Sequence, residues 1–302
     1  MIRTLNAGYT RYRATVRTRA ATLLTTALLA LTMTGCDMNA SAANKYFSGP
    51  YLDAAQAIDR HDAERLSSVS KGLDLNAAGR EHMTLLWYAM QKKDYAAIQT
   101  LVREGSRPDG QSVENLGTPL HFALMNEDLR LLEAMLDGGL SPDWRDADGT
   151  SLLQLAMKSD HAFDAVKMLI ARRANVNARD GIGGSALDEA VDTMQPDIAI
   201  YLIEHGADPT GHMNNGSSTA WAVQQTIARL DSEAKGATVT DFSLDKNGQP
   251  VATKQSLPSP GVTPEGSEML RKYGQLRALM MAKGAKFPAD PPAKVREQMS
   301  RK

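Results

Sequence analysis

Cys36 is the one cysteine among 302 residues, and it ends the run Met33-Thr34-Gly35-Cys36 just behind an apolar stretch. A single thiol cannot form an internal disulfide, so packing alone must hold whatever fold follows. Elsewhere the residue types that do chemistry are scattered. The six histidines (His61, His82, His121, His161, His205 and His212) form no HxxxH or HExxH pair with which a helix face could hold a metal. Gly181-Ile182-Gly183-Gly184 invites comparison with a phosphate loop, but no buried strand leads into it as that chemistry requires. The adjacent carboxylates Asp188 and Glu189 would point about 100° apart on a helix, too far to share a substrate atom. No serine is marked as a nucleophile. The expectation is no catalytic residue, no metal site, no cofactor and no small-molecule substrate.

The segment before Cys36 carries five arginines (Arg3, Arg11, Arg13, Arg17 and Arg19) and then an apolar stretch from Ala20 to Leu31. That stretch is short of the roughly 20 residues a bilayer span needs. Basic start, apolar middle and small residues before a cysteine make residues 1–35 resemble a bacterial lipoprotein signal peptide. The resemblance implies that Cys36 is lipidated and becomes the new N-terminus on the periplasmic side. Acyl chains at ~0.8 kcal/mol per buried CH₂ would then anchor the protein to a membrane. In enterobacterial lipoproteins an aspartate after the cysteine marks retention at the inner membrane, and Asp37 stands there. Residues 37–48, which follow the lipidated cysteine, are mostly small and polar and read as a tether. Fully extended, its dozen residues reach about 40 Å.

The whole chain has a formal net charge of −1. Without residues 1–35, which hold five arginines and no acid, 29 basic residues face 35 acidic ones, a net of −6. An acidic body argues against nucleic acid as partner.

What could position a binding surface is a repeat. The runs Pro50-Tyr51-Leu52-Asp53-Ala54-Ala55, Thr84-Leu85-Leu86-Trp87-Tyr88-Ala89, Thr118-Pro119-Leu120-His121-Phe122-Ala123, Ser151-Leu152-Leu153-Gln154-Leu155-Ala156 and Ser185-Ala186-Leu187-Asp188-Glu189-Ala190 share one pattern. A weaker copy, Ser218-Thr219-Ala220-Trp221-Ala222-Val223, follows. The third position recurs every 33 or 34 residues, which means stacked copies of one supersecondary unit. Threonine or serine caps a first helix. A second helix follows and stops at Gly72, Gly105, Gly139 or Gly206, where a left-handed residue ends a helix cheaply. Arg173 takes the glycine's place in the fourth unit, at a cost of roughly 1 kcal/mol if the geometry is kept. From Val223 the next such glycine, Gly284, lies 61 residues on. The sixth unit therefore carries an insertion, with a β-hairpin expected around Asn247-Gly248.

Gly117-Thr118-Pro119-Leu120-His121-Phe122-Ala123 and His205-Gly206-Ala207-Asp208-Pro209 resemble the ankyrin-repeat family. The fold class this implies is all-α: an ankyrin-repeat solenoid of about six helix-turn-helix units with β-hairpin-like connections and a long insertion in the last unit. The domain reading is signal peptide 1–35, lipidated cysteine and tether 36–48, and repeats 49–235. An inserted hairpin and loop 236–263, a second helix 264–288 and a polar tail 289–302 complete it. In the family the residue at His121 is structural, bonding the backbone of a neighbouring unit.

Ankyrin repeats bind protein partners through hairpin tips and the inner face of the first helix. By register those positions are Arg80, Glu81, Gln91, Lys92, Glu114, Asn115, Asn126, Asp148, Lys158, Asp192, Asn214 and Gln225. Trp87, at the family's histidine position, and Tyr88, expected to face outward, add aromatic anchors, as do Trp144 and Arg145 on a hairpin. The resemblances together imply a non-catalytic, membrane-anchored periplasmic protein-binding lipoprotein. Repeat lipoproteins resemble immunity proteins that sequester toxic effectors such as type VI secretion phospholipases. An envelope scaffold or stress-protection protein is the alternative.

Overall fold

The structure is a computed structural model that describes residues 42–110, 117–235, 238–244, 250–256 and 264–301. Residues 1–45 form one unit, of which a single 3₁₀ turn, Ala42–Lys45, is described. Residues 46–302 form the other and hold all the repeats.

Within that second unit, helices come in pairs, one pair per repeat. They are α1 Pro50–Asp59 with α2 Ala63–Val69, α3 Leu85–Lys92 with α4 Tyr95–Arg103, and α5 Pro119–Met125 with α6 Arg130–Asp137. Then come α7 Leu152–Ala156 with α8 Ala162–Ala171, α9 Ala186–Asp192 with α10 Pro196–Glu204, and α11 Thr219–Lys235 with α12 Pro264–Ala282. From unit two on, the first helices start where the sequence supplies a cap. Thr84, Thr118 and Ser151 each accept a hydrogen bond at 3.2 Å from the backbone N–H three residues on, and Ser185 accepts one at 3.3 Å. Asp62 and Asp94 do the same for α2 and α4. Each satisfies an amide that helix geometry leaves without a partner.

The second helices end as the glycines require. Gly72, Gly105, Gly139, Gly206 and Gly284 all have positive φ, and so does Arg173, at 64°. At Gly206 the backbone closes with Ala207 N–H donating to Leu202 O at 2.9 Å, which turns the chain out of α10. Arginine in this conformation carries the steric cost that glycine avoids.

No pair could bury its own apolar stripe, so the units stack. Leu86, Ala89, Ile98 and Leu101 of unit two are at most 1% exposed, as are Leu120, Ala123, Leu132 and Met135 of unit three. Leu153, Ala156, Val166 and Leu169, then Leu187, Ala190, Leu202 and Ile203, continue the same layer. Gly138 shows how closely neighbours approach. A Cβ there would lie 2.7 Å from Gln99 O and 2.8 Å from Val102 Cβ on α4.

The sixth unit departs from the pattern. Its helices have 17 and 19 residues against 5 to 10 in the other units. Between them stand β1 Thr238–Leu244 and β2 Pro250–Ser256, paired antiparallel from Thr238↔Ser256 to Leu244↔Pro250 around the Asn247-Gly248 dipeptide. Beyond Gly284 the polar tail contains a further helix, α13 Pro292–Met299. It closes the array's last edge: Arg296 Nη1 donates to Asn215 O at 2.8 Å, and Ala289 N–H to Gln224 Oε1 at 2.8 Å. Among the described residues no helix is long and apolar enough to cross a membrane.

Candidate functional site

Between one unit's second helix and the next unit's first, the chain makes a finger. Arg145 pairs with Ser151, Arg179 with Ser185, and His212 with Ser218 as isolated antiparallel bridges. An aspartate braces the first two tips from inside. Asp146 Oδ1 accepts from Asp148 N–H at 3.0 Å and Thr150 N–H at 2.8 Å. Asp180 Oδ1 accepts from Ile182 N–H at 3.0 Å and Gly184 N–H at 2.7 Å.

The fingers are also bonded to one another. Gly181 N–H donates to Asp148 O at 3.1 Å, and Asn214 N–H to Ile182 O at 2.9 Å. Arg145 Nη1 donates to Gly149 O within its own finger at 2.7 Å and to Arg179 O in the next at 2.6 Å. Arg179 Nη1 repeats the contact with Gly183 O at 2.7 Å. Arg145, read as a partner-binding residue on a hairpin, thus also has a structural part in joining two fingers. It is exposed, and both of these bonds use its Nη1.

Position +3 from the cap ties each first helix to the next unit. Gln154 is 2% exposed, and its Nε2 donates to Asp180 Oδ2 at 3.0 Å and Gly184 O at 3.3 Å. Asp188, also buried, completes a capping box with Ser185 and accepts from Thr219 Oγ1 at 2.5 Å. Trp87 packs edge-on to Phe122, ring centroids 5.3 Å apart. His121 is the exception and a correction. It is exposed, and among the described residues none accepts a hydrogen bond from its ring. The bridging assigned to it is performed by Gln154 one unit later.

Positions +4 and +7, one helical turn apart, share the remaining inner face. Position +4 holds Tyr88, Phe122, Leu155, Glu189 and Ala222; position +7 holds Gln91, Met125, Lys158, Asp192 and Gln225. The +7 residues are all exposed, on five successive units. Tyr88 does not face outward as expected. It is fully buried under Tyr46 and Phe47, and its hydroxyl donates to Asp59 Oδ1 at 2.6 Å. Burial, then that carboxylate, holds its hydroxyl well above the usual tyrosine range. Trp87, 6% exposed, is buried as well.

Of the other positions read as partner-binding, Arg80, Glu81, Gln91, Asp148, Lys158, Asp192, Asn214 and Gln225 are exposed. Lys92, Asn126 and Trp144 are half-buried, and Lys92 Nζ pairs with Asp59 Oδ1 at 2.6 Å. Glu114 and Asn115 lie outside the described residues, as do Cys36 and Asp37.

The electrostatics of this face gather on α9. Burial raises the Glu189 carboxyl above its ordinary range, against the pull of Lys158. Asp192 stays partly open to solvent, yet desolvation and then the carboxylates of Asp188 and Glu189 push it up to about 6. Among the described residues no group of histidine, cysteine and carboxylate side chains is arranged to hold a metal. A groove of about 250 Å³ opens at the last edge, among Pro209, His212, Ser218, Lys286 and Val295.

A family description, ankyrin repeats (three copies), matches residues 120–212. The putative ankyrin repeat protein YahD of Escherichia coli is 28% identical over 170 residues, 55% of this chain and 83% of YahD. The putative ankyrin repeat protein FPV031 of fowlpox virus is 27% identical over 143 residues. That match spans 45% of this chain and less than half, 42%, of the viral protein. Among solved structures, the ankyrin repeat domain of Bcl-3 is 23% identical, with a TM-score of 0.46 over 59% of this chain and 82% of that one. Residues 120–212 thus match ankyrin repeats, and the helix pairs of the described chain stack as a solenoid.

Proposed function

We propose that these repeats form a membrane-anchored, periplasm-facing binding surface for another protein, and that the partner is a toxic enzyme the cell must keep inactive. The observation that supports binding is the row Gln91, Met125, Lys158, Asp192 and Gln225, exposed at one register on five units. Beside it run fingers whose backbones are already bonded to each other. A surface fixed in advance loses little entropy when a partner arrives. Its mixed polarity suits a protein.

Anchoring is read from Cys36 and its preceding Met33-Thr34-Gly35, and inner-membrane retention from Asp37. Held at the membrane, the inner face would cap the active site of an incoming phospholipase by steric cover, with no chemistry of its own. A scaffold role in the envelope would use the same face on a resident assembly.

The test is survival of cells lacking the gene when siblings deliver such an effector. Complementation with the wild-type chain should restore survival, and with Cys36→Ala or the pair Lys158→Glu, Asp192→Lys it should not. A deletion strain that survives as well as its parent would remove the toxin reading and leave the scaffold. Full rescue by Cys36→Ala would remove the anchor.

A further inference from the structure

At unit two the chain covers its own inner face. The Phe47 ring lies 5.5 Å and the Tyr46 ring 6.1 Å from the Tyr88 ring at position +4, both edge-on. Arg80 N–H fixes this segment by donating to Tyr46 O at 2.8 Å, and Gly79 lets it pass, since a Cβ there would meet Tyr46 O at 2.4 Å. Tyr46 and Phe47 keep only 6% and 3% of their surface exposed.

The next two units repeat the register, and among the described residues no second pair like Tyr46 and Phe47 lies over it, although Trp87 stands edge-on to Phe122 at 5.3 Å. Phe122 and Leu155 occupy position +4 and are half-buried, and Met125 at position +7 of unit three is 39% exposed. One unit further the same two positions are Glu189 and Asp192, with Lys158 beside them at +7 of unit four. The open stretch is thus apolar at one end and net acidic at the other. An array built from copies of one unit offers similar geometry at each step. What seats on Tyr88 therefore indicates what fits on Phe122.

We infer that this stretch receives an extended segment of the partner protein, carrying an aromatic or large aliphatic side chain for Phe122, Met125 and Leu155 and a basic side chain for Glu189 and Asp192. The segment continues across units three to five the cover that Tyr46 and Phe47 provide at unit two. This rests on the protein-binding reading above and gives it a partner chemistry. Removing water from Met125 and the open edge of Phe122 supplies affinity, and the carboxylates set direction and register.

Short random peptides displayed on phage and selected on the full-length chain in detergent would test it. The enriched peptides should pair an aromatic or large aliphatic residue with a nearby lysine or arginine. Met125→Glu, a substitution on the exposed face, should weaken them about tenfold or more, and Glu189→Gln with Asp192→Asn several-fold. An unchanged melting temperature shows that each variant still folds. Peptides lacking that pairing, or binding indifferent to Met125→Glu, overturn the inference. If Asp148→Lys or Asn214→Lys at the fingers abolishes binding instead, protein binding stands and this inner stretch is not its seat. If no peptide is enriched at all, both readings fall. A purified dimer that Met125→Glu dissociates would make the occupant a second copy, which also overturns it.

Discussion

Gln154 Nε2 donates to Asp180 Oδ2 at 3.0 Å, joining the first helix of the fourth unit to the finger of the fifth. The same side chain accepts from Ser151 N–H and so also closes its own helix's capping box. One residue thus starts a helix and fastens the next unit. Gln154→Ala would remove both functions from a buried site and should destabilise the chain by about 2–3 kcal/mol. Urea unfolding would measure the loss. Because stacked units share stability through their interfaces, hydrogen exchange should quicken in units five and six more than in unit two.

Arg173 has φ 64° in the place where four other units and the final turn have glycine. Its side chain is exposed, so nothing at the surface repays the backbone strain. Arg173→Gly should stabilise the chain by about 0.5–1 kcal/mol, after the extra freedom glycine gains in the unfolded state is subtracted. Gly206→Ala, at φ 96°, should shift the thermal midpoint the opposite way.

These two positions mark what local sequence determines. The caps, the helix-ending glycines and the strain at Arg173 all follow from residue types at fixed spacing, and so does the 33- or 34-residue period. Position +3 was legible as a place but not as a mechanism. The family's histidine stands at 121, yet the bridge is made by Gln154, whose partner Asp180 lies 26 residues on. Tyr88 was misplaced for a related reason. Its register points to the inner face, and only the distant Tyr46 and Phe47 bury it. The bonds of Arg145 to Gly149 O and Arg179 O were not legible, because backbone carbonyls leave no side-chain pattern.

Asp192, pushed up to about 6 by desolvation and the carboxylates of Asp188 and Glu189, gives the fold a pH signature. Its folded pKa lies above its unfolded value near 4, so the folded state binds the proton more tightly in that interval. The stabilisation is complete below about pH 4 and is lost as pH rises through about 6. Asp192→Asn should therefore raise the urea midpoint relative to wild type at pH 7.5 and have little effect at pH 4. Solvent access to the side chain keeps the effect modest. An equal effect at both values would contradict the carboxylate crowding described on α9.

The most direct measurement is photocrosslinking in living cells, with a photoreactive residue placed in turn at Lys158 and Asp192 on the inner face and at Arg65 on α2. Protein binding by the inner face predicts one discrete adduct with the same protein from both inner positions, and none from Arg65. Adducts from Arg65 alone, or none from either inner position while the chain is present and folded, would contradict it.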